Sequence, residues 1–411
     1  MHDIFGVQYD YFQKIREVVF KNAKIYGFEG IETPILENTE LFARGVGSDT
    51  DIVEKEMYSF KTKGKDDVSL RPEATASVVR AYIEYGLYTY SQPVKFFYFG
   101  PFFRYERPQS GRYRQFWQFG FEAIGRGGPL VDAQIIALNY NILTELGIKN
   151  VIVEINNMGD SKCRLEFKKD LKKYLKKEIN SLCSDCKKRM KTNPLRCLDC
   201  KVCKKIKESA PQIVDYICKT CKEEFMLVLE FLGELKIPYD LNPFLIRGLD
   251  YYSGTVYEFF APQKEESGNF ALGGGGRYDG LSVLLGDEER FATGAAVGVE
   301  RVILLMKENG VKIEKELPGV FIAQLGDLAK KKCFKLFEDL KKAKISVAEN
   351  FGQDSLKGQL GKANKMGAKI VVIIGKEEAA NNRAIVRNME TGEQEKVKIG
   401  EVIEEVKKRL K

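Results

Sequence analysis

Histidine is almost missing from this chain of 411 residues: it occurs once, as His2. That scarcity removes the Ser-His-Asp and Cys-His nucleophile arrangements and every metal site built on several imidazoles. Chemistry here has to run on carboxylates, arginines, tyrosines, cysteines or a bound metal, and so leans on positioning and charge stabilisation more than on proton shuttling. Long apolar runs are missing too, none approaching the roughly 18 to 20 residues that span a bilayer. The opening MHDIFGVQYDYFQKIREVVF carries charges within a helical period and lacks the apolar core of a secretory signal. A soluble, cytoplasmic protein without membrane contact is predicted. The glycine run in ALGGGGRYDGL, residues 271–281, has neither the Lys-Ser/Thr of a P-loop nor the following helix of a dinucleotide fingerprint. A plain turn and a close backbone approach to a ligand both remain open for it.

What is present points to a large, multi-domain chain. A 44% hydrophobic content over this length supports two or three domains. Sixty-six Lys and Arg against 58 Asp and Glu give a formal charge of +8, which permits a polyanionic partner without requiring one. Four blocks separate by composition. The first mixes helices with apolar strand-like runs: KIYGFEGIETPILE reads as a helix end, a glycine turn and a strand interrupted at Pro34, and KFFYFGPFFRYE as a buried strand broken at Gly100-Pro101. A lysine- and cysteine-rich stretch with helical periodicity follows. Strand and glycine-loop character then returns and ends in GAAVGVERVILLMKENG. From Pro318 the alternation of VFIAQLG, a lysine-rich helix, ISVAEN, a second helix, KIVVIIG, a hairpin at Glu390-Thr391-Gly392 and a closing helix predicts a separate α/β domain.

Several stretches concentrate chemistry. In SLRPEATASVVRAY, Glu73 and Thr75 follow Pro72 where a helix commonly starts, and ordinary capping accounts for them as well as a ligand does. In FGPFFRYERPQSGRYRQFWQFGFE, two aromatic strands flank a loop carrying Arg104, Arg107, Arg112 and Arg114. Gln118 and Glu122 sit in the apolar return strand, where unpaired polar groups are costly. RGLDYYSGTVYEFF, residues 247–260, reads as a strand, yet it begins with a cation, an acid and two phenols. GVERVILL places Arg301 at the start of an apolar helix, an odd position unless an anion or carboxylate faces it.

The order of a Pro34 strand, an arginine hairpin and a helix beginning Glu300-Arg301 resembles motifs 1, 2 and 3 of class II aminoacyl-tRNA synthetases. LRPEATA, FRYERPQSGRYRQF, RGLDYYSGTVYEF and GGRYDGL are similar to signatures of the histidyl-tRNA synthetase family, and SLKGQLGKANKMGAKIVVIIG resembles that family's C-terminal domain. The resemblance implies an α+β fold: a class II antiparallel sheet with flanking helices, a helical insertion and a C-terminal α/β anticodon-binding domain. The implied divisions are residues 1–159 and 238–316 for the catalytic domain, 160–237 for the cysteine-rich insertion and 317–411 for the anticodon-binding domain. It implies L-histidine, ATP with Mg²⁺, and tRNA(His) as substrates and partners, and a homodimer. Glu73, Thr75 and Gln118 would hold the α-ammonium of histidine, and Glu122 and Tyr252 the imidazole nitrogens, with Tyr278 closing the pocket. Arg104 would bind the α-phosphate of ATP, Arg301 the γ-phosphate, and Arg247 would act opposite Arg104 across the reacting α-phosphate. Arg107 and Gln109 would touch the tRNA acceptor end. Tyr105 and Trp117 stand where the family often has histidine, and Ala74 where it often has glycine; these departures bear on pocket shape and dimer packing, not on reaction type. The competing expectation is a non-catalytic paralogue that senses histidine as a regulatory subunit.

Seven of the nine cysteines fall in one span: Cys183, Cys186, Cys197, Cys200, Cys203, Cys218 and Cys221. Repeated C-x2-C in a chain without secretory features suggests Zn²⁺ on a subset of these thiolates rather than disulfides, with the surrounding lysines offsetting their charge. The family has members without these cysteines, so the resemblance does not decide the matter, and structural zinc and an insertion that folds without metal both stay open.

Overall fold

The computed structural model describes residues 2–48, 50–106, 111–200, 202–263, 269–314, 317–352 and 354–410. Two compact units divide the chain, Met1–Ile313 and Glu314–Lys411. The first is built on an eight-stranded sheet whose order across is Glu29–Gly30, Val94–Phe103, Gln115–Gly125, Phe291–Gly298, Asn269–Arg277, Ser253–Pro262, Ile152–Asn157 and Tyr239–Leu241. All neighbours pair antiparallel except the two short edge strands, which run parallel to theirs.

Residue alternation decides what each face carries. In Gln115–Gly125, Phe119, Phe121 and Ala123 pack into a core shared with the helices Val7–Ile25, Pro129–Glu145, Lys219–Glu234 and Val299–Glu308. Helix Val7–Ile25 buries Tyr11, Phe12, Ile15, Val18, Val19, Asn22 and Ala23, the stripe a 3.6-residue period produces. Gln118, Gly120, Glu122 and Ile124 therefore point to the opposite face. There a second core gathers Ile124, Tyr98, Phe102 and Val256 with the helix Thr75–Glu84 and most of the segment between Asn157 and Tyr239, which is made of helices and 3-10 turns.

Three local expectations are corrected. Arg247–Tyr252 is not strand: Ser253 begins it, and the preceding residues form a turn in which the Asp250 amide bonds the Val46 carbonyl at 3.1 Å. The strand at Val94–Phe103 runs through Gly100-Pro101 unbroken. Its parallel neighbour pairs only with Phe96 and Phe97, so beyond them it is an edge strand and the missing proline N–H costs no ladder bond. The glycine run 273–276 lies inside the strand Asn269–Arg277 and is not a turn.

The second unit has a five-stranded sheet ordered Val347–Glu349, Val320–Gln324, Ile370–Ile374, Arg383–Asn388 and Gln394–Lys398, parallel across the first three and antiparallel thereafter. VFIAQ and IVVII are buried at every position. Helices Asp327–Lys342 and Val402–Leu410 cover one face and Leu356–Lys365 the other, the arrangement continuous apolar strands require. Among the described residues no helix is long and apolar enough to cross a membrane.

Candidate active site

The sheet face opposite the four packed helices forms the floor of a cleft of about 550 Å³. Two adjacent rows of cross-strand neighbours explain its shape. In one, Tyr98, Gly120, Ala296, Gly274, Glu258 and Glu154 follow each other across six strands, so a run of small residues lies between a phenol and two acids. In the other, Phe96, Glu122, Gly294, Gly276, Val256 and Asn156 do the same. Backbone approach is what the glycines supply: a Cβ at 294 would overlap Glu122 Oε2, one at 120 would overlap the Tyr98 hydroxyl, and one at 274 would stand 2.9 Å from Arg247 Nη1.

At one end of the cleft two carboxylates are buried under tyrosines. Glu73 accepts the amide N–H groups of Thr75 and Ala76, at 2.7 and 2.9 Å, where the helix Thr75–Glu84 begins. The Tyr251 hydroxyl reaches its second face at 3.4 Å. Glu122, 1% exposed, accepts from Thr75 Oγ1 at 2.8 Å, from the Tyr98 hydroxyl at 3.5 Å and from the Tyr278 hydroxyl. Burial pushes Glu122 up to about 8 even though the hydrogen bonds from Tyr278 and Thr75 pull the other way. Glu73 is raised for the same first reason, opposed by the Ala76 and Thr75 amides. Thr75, Glu73, Gln118 and Tyr252 line the cleft; Glu122 and Tyr278 lie a layer beneath, behind Tyr98 and Thr75. The Tyr252 ring lies tilted against Tyr251, with centroids 4.7 Å apart and planes at 50°, and its carbonyl accepts from Arg164 at 2.6 Å.

Three arginines face the same space. Arg104 donates Nε–H to the Pro72 carbonyl at 2.9 Å and lies over the Phe116 ring at 5.4 Å. Arg247 is ion-paired with Glu258 and sits 5.8 Å above the Tyr252 ring. Burial works against its charge, but Glu258 and the two tyrosines outweigh that and hold it above the usual guanidinium value. Its Nε is buried with no hydrogen-bond partner among the described residues. Arg301 bonds the Ala271 carbonyl and lies 5.1 Å over Phe270; burial, then repulsion from Arg112, pull it down to about 10. Arg107 and Gln109 fall outside the described residues.

The sequence offers no sign of Glu258 or Gly294 as parts of this site, because their neighbours are fixed by cross-strand register. Nor does it show that Asp250 turns away from the cleft chemistry to hold Arg196 at 2.8 Å and Asn193 at 2.9 Å. The aromatic return strand with its two polar residues was the signal that could have led to Tyr98, its cross-strand partner. Glu300 likewise turns both oxygens to the Trp117 amide at 3.0 Å.

The seven clustered cysteines do not form one group. Cys183, Cys186, Cys200 and Cys203 bring their sulfurs within 4.8 Å of one another, and Cys218 and Cys221 do so with Cys163 and an oxygen of Asp160. Cys197 belongs to neither; its thiol donates to the Cys186 carbonyl at 3.4 Å.

An antiparallel sheet with flanking helices, a cleft that faces buried carboxylates with three arginines, and a separate α/β unit together define a class II aminoacyl-tRNA synthetase. The model of the histidyl-tRNA synthetase family matches residues 1–302, and that of an anticodon binding domain matches residues 319–409. The chain belongs to the histidyl-tRNA synthetase family. It is 44% identical over 399 residues to a histidine–tRNA ligase of Halothermothrix orenii, covering 96% of this chain and 95% of that one. With a histidine–tRNA ligase of Thermosipho melanesiensis it shares 43% over 393 residues, covering 95% and 93%. The solved structure of apo S. aureus histidyl-tRNA synthetase superposes with a TM-score of 0.84 at 36% identity, covering 99% of this chain and 98% of that one.

Proposed function

We propose that this chain attaches L-histidine to tRNA(His) at the expense of ATP, through a histidyl-adenylate, releasing diphosphate and then AMP. The observation that carries the reading is a single cleft lined by Glu73, Arg104, Arg247 and Arg301, with the buried Glu122 a layer beneath it. Glu73, with Thr75 and Gln118, holds the α-ammonium; Glu122 and Tyr252 take the imidazole nitrogens, and Tyr278 keeps the Glu122 carboxyl oriented. Arg104 and Arg247 flank the α-phosphate, with the unpartnered Nε–H of Arg247 as the donor it receives, and Arg301 meets the γ-phosphate.

A carboxylate oxygen of histidine attacks the α-phosphorus, and the bond to the oxygen bridging the β-phosphate breaks. Charge grows on oxygens that the arginines already face, so no general base is needed, which suits a chain with one histidine. A ribose hydroxyl at the tRNA end then attacks the carbonyl carbon, AMP leaves, and the proton goes to the phosphate. Glu154 and Glu258 bring to the cleft the oxygen donors magnesium requires; when bound, that ion neutralises phosphate charge. Rejection of apolar analogues by roughly 10⁴ follows when the polar groups that read an imidazole are left unpaired.

In the same reading residues 1–159 and 238–316 are the catalytic domain, 160–237 an insertion that leans on the tRNA acceptor arm, and 317–411 the anticodon-binding domain. Arg107 and Gln109 contact the acceptor end, and the protein works as a cytoplasmic homodimer. Cys183, Cys186, Cys200 and Cys203 hold a structural zinc ion: the Cys183 and Cys200 sulfurs stand 3.8 Å apart, the separation that tetrahedral Zn–S bonds of about 2.3 Å give. ATP–pyrophosphate exchange with each of the twenty amino acids tests the reading. Exchange with histidine alone is expected; no exchange with any amino acid, while calorimetry shows histidine bound, would favour a sensor paralogue instead.

A further inference from the structure

We infer that Asp160, Cys163, Cys218 and Cys221 form a second zinc site, distinct from the four-cysteine one, which fastens the two ends of the insertion together beside Tyr252. Each end contributes a pair at the start of a helix. Asp160 is the N-cap of Ser161–Lys177 and Cys163 lies three residues on; Cys218 is the N-cap of Lys219–Glu234 and Cys221 lies three residues on. Cys183 and Cys186 stand at the same two positions of Ser184–Thr192, so the chain uses one local device three times. The device presents two anionic ligands to one point while the helix N–H groups and dipole favour their charge.

The four ligand atoms lie within 4.8 Å of one another, and Cys218 Sγ stands 3.7 Å from Asp160 Oδ2. Oδ1 of the same carboxylate accepts the Cys163 amide at 2.8 Å, which fixes the aspartate and leaves Oδ2 aimed at the thiols. The Cys218 amide donates to Cys163 Sγ at 3.1 Å. Asn157 braces the exit end by donating to the Cys221 carbonyl at 3.3 Å. Gly159 makes room: it has φ +61°, and a Cβ there would press on the Cys163 Cβ at 2.5 Å. Three thiolates and one carboxylate with a tetrahedral span suit zinc, while magnesium and calcium prefer oxygen shells.

The position gives the site a purpose. Met158 and Gly159 exchange hydrogen bonds with Gly254, at 2.6 and 3.0 Å, where the strand after Tyr252 begins. Arg164, one residue past the ligand Cys163, holds the Tyr252 carbonyl. A metal here is a positioning element for the pocket wall.

Zinc per chain, measured by plasma mass spectrometry on the full protein purified from zinc-supplemented medium, decides the matter. Two ions are expected in the parent, one in Cys218→Ser, one in Cys183→Ser and none in the double variant. Cys218 is exposed, so its variant tests the ligand and not the fold, and circular dichroism checks this. In Cys183→Ser the remaining ion, replaced by cobalt, should show thiolate charge-transfer absorption that falls when Cys221→Ser is added. Asp160→Ala should release zinc to a chromophoric chelator faster than the parent, and Cys218→Ser should raise KM for histidine more than it lowers kcat. Two ions retained in Cys218→Ser, or a single parental ion that disappears in Cys183→Ser, overturns the second site. A single ion lost only in Cys218→Ser supports it and removes the four-cysteine site.

Discussion

Replacing Glu122 by glutamine isolates the electrostatic cost of one buried carboxyl in the candidate pocket. The side chain keeps its shape and its reach to Thr75 and Tyr278, while the ionisable proton is gone. Burial moves Glu122 from 4.5 in ordinary surroundings to about 8 in the folded chain. At ~1.4 kcal/mol per pH unit, that gap corresponds to roughly 5 kcal/mol between the protonated and ionised limits. Because the folded chain binds the proton more tightly than the unfolded one, this stability is present in full below pH 4.5 and is lost as pH rises to about 8. Between pH 5 and pH 8 the parent should therefore lose about 3 kcal/mol that the Glu122→Gln variant keeps. Titrating groups away from Glu122 are common to both chains and cancel in the difference, leaving only its repulsion with Glu73 as a coupled contribution. Urea unfolding followed by fluorescence of Trp117, the single tryptophan, reads the unit that contains the pocket. The variant should be the more stable protein at pH 8 and should fail to activate histidine. Parallel stability profiles for the two chains from pH 5 to pH 8 would refute the buried-acid reasoning.

Arg247→Ala should lower ATP–pyrophosphate exchange by about 10² to 10³ while histidine still binds by calorimetry, and Arg247→Lys should not restore it, since an ammonium cannot supply the lost Nε–H. Gly294→Ala drives a methyl into Glu122; a stability loss of about 1 to 3 kcal/mol in thermal unfolding and a higher KM for histidine are expected, whereas an unchanged melting point would show that the strands can part there at no cost. Asp250→Ala leaves Arg196 without its carboxylate, and limited proteolysis should then cut between residues 184 and 218 faster than in the parent.

Much of the candidate site was legible because its residue types are out of place by local rules. Glu122 and Gln118 in an aromatic strand, and Arg301 at the head of an apolar helix, each break a pattern that composition otherwise keeps. The capping reading of Glu73 was also correct as far as it went: its oxygens do take helix amides, and the cleft lies on its other side. RGLDYY was misread as strand because β-branched Thr255 and Val256 carried the alternation backwards past its start. Pro101 looked like a break because a sequence does not show which strand lies at an edge.

Residue order by itself determined the family, the excluded chemistries and most of the helical and strand periods, since these depend on residue types and on neighbours a few positions apart. Only the tertiary structure decided that Gly294 clears space for Glu122, that Glu258 pairs Arg247, and that six of the seven clustered cysteines part into two groups, with Asp160 and Cys163 joining one of them and Cys197 left out of both. Those contacts join residues from 11 positions apart, as in Arg247–Glu258, to well over a hundred, as in Glu122–Gly294. They are set by strand register and by the angle at which helices leave the sheet, neither of which a local pattern encodes.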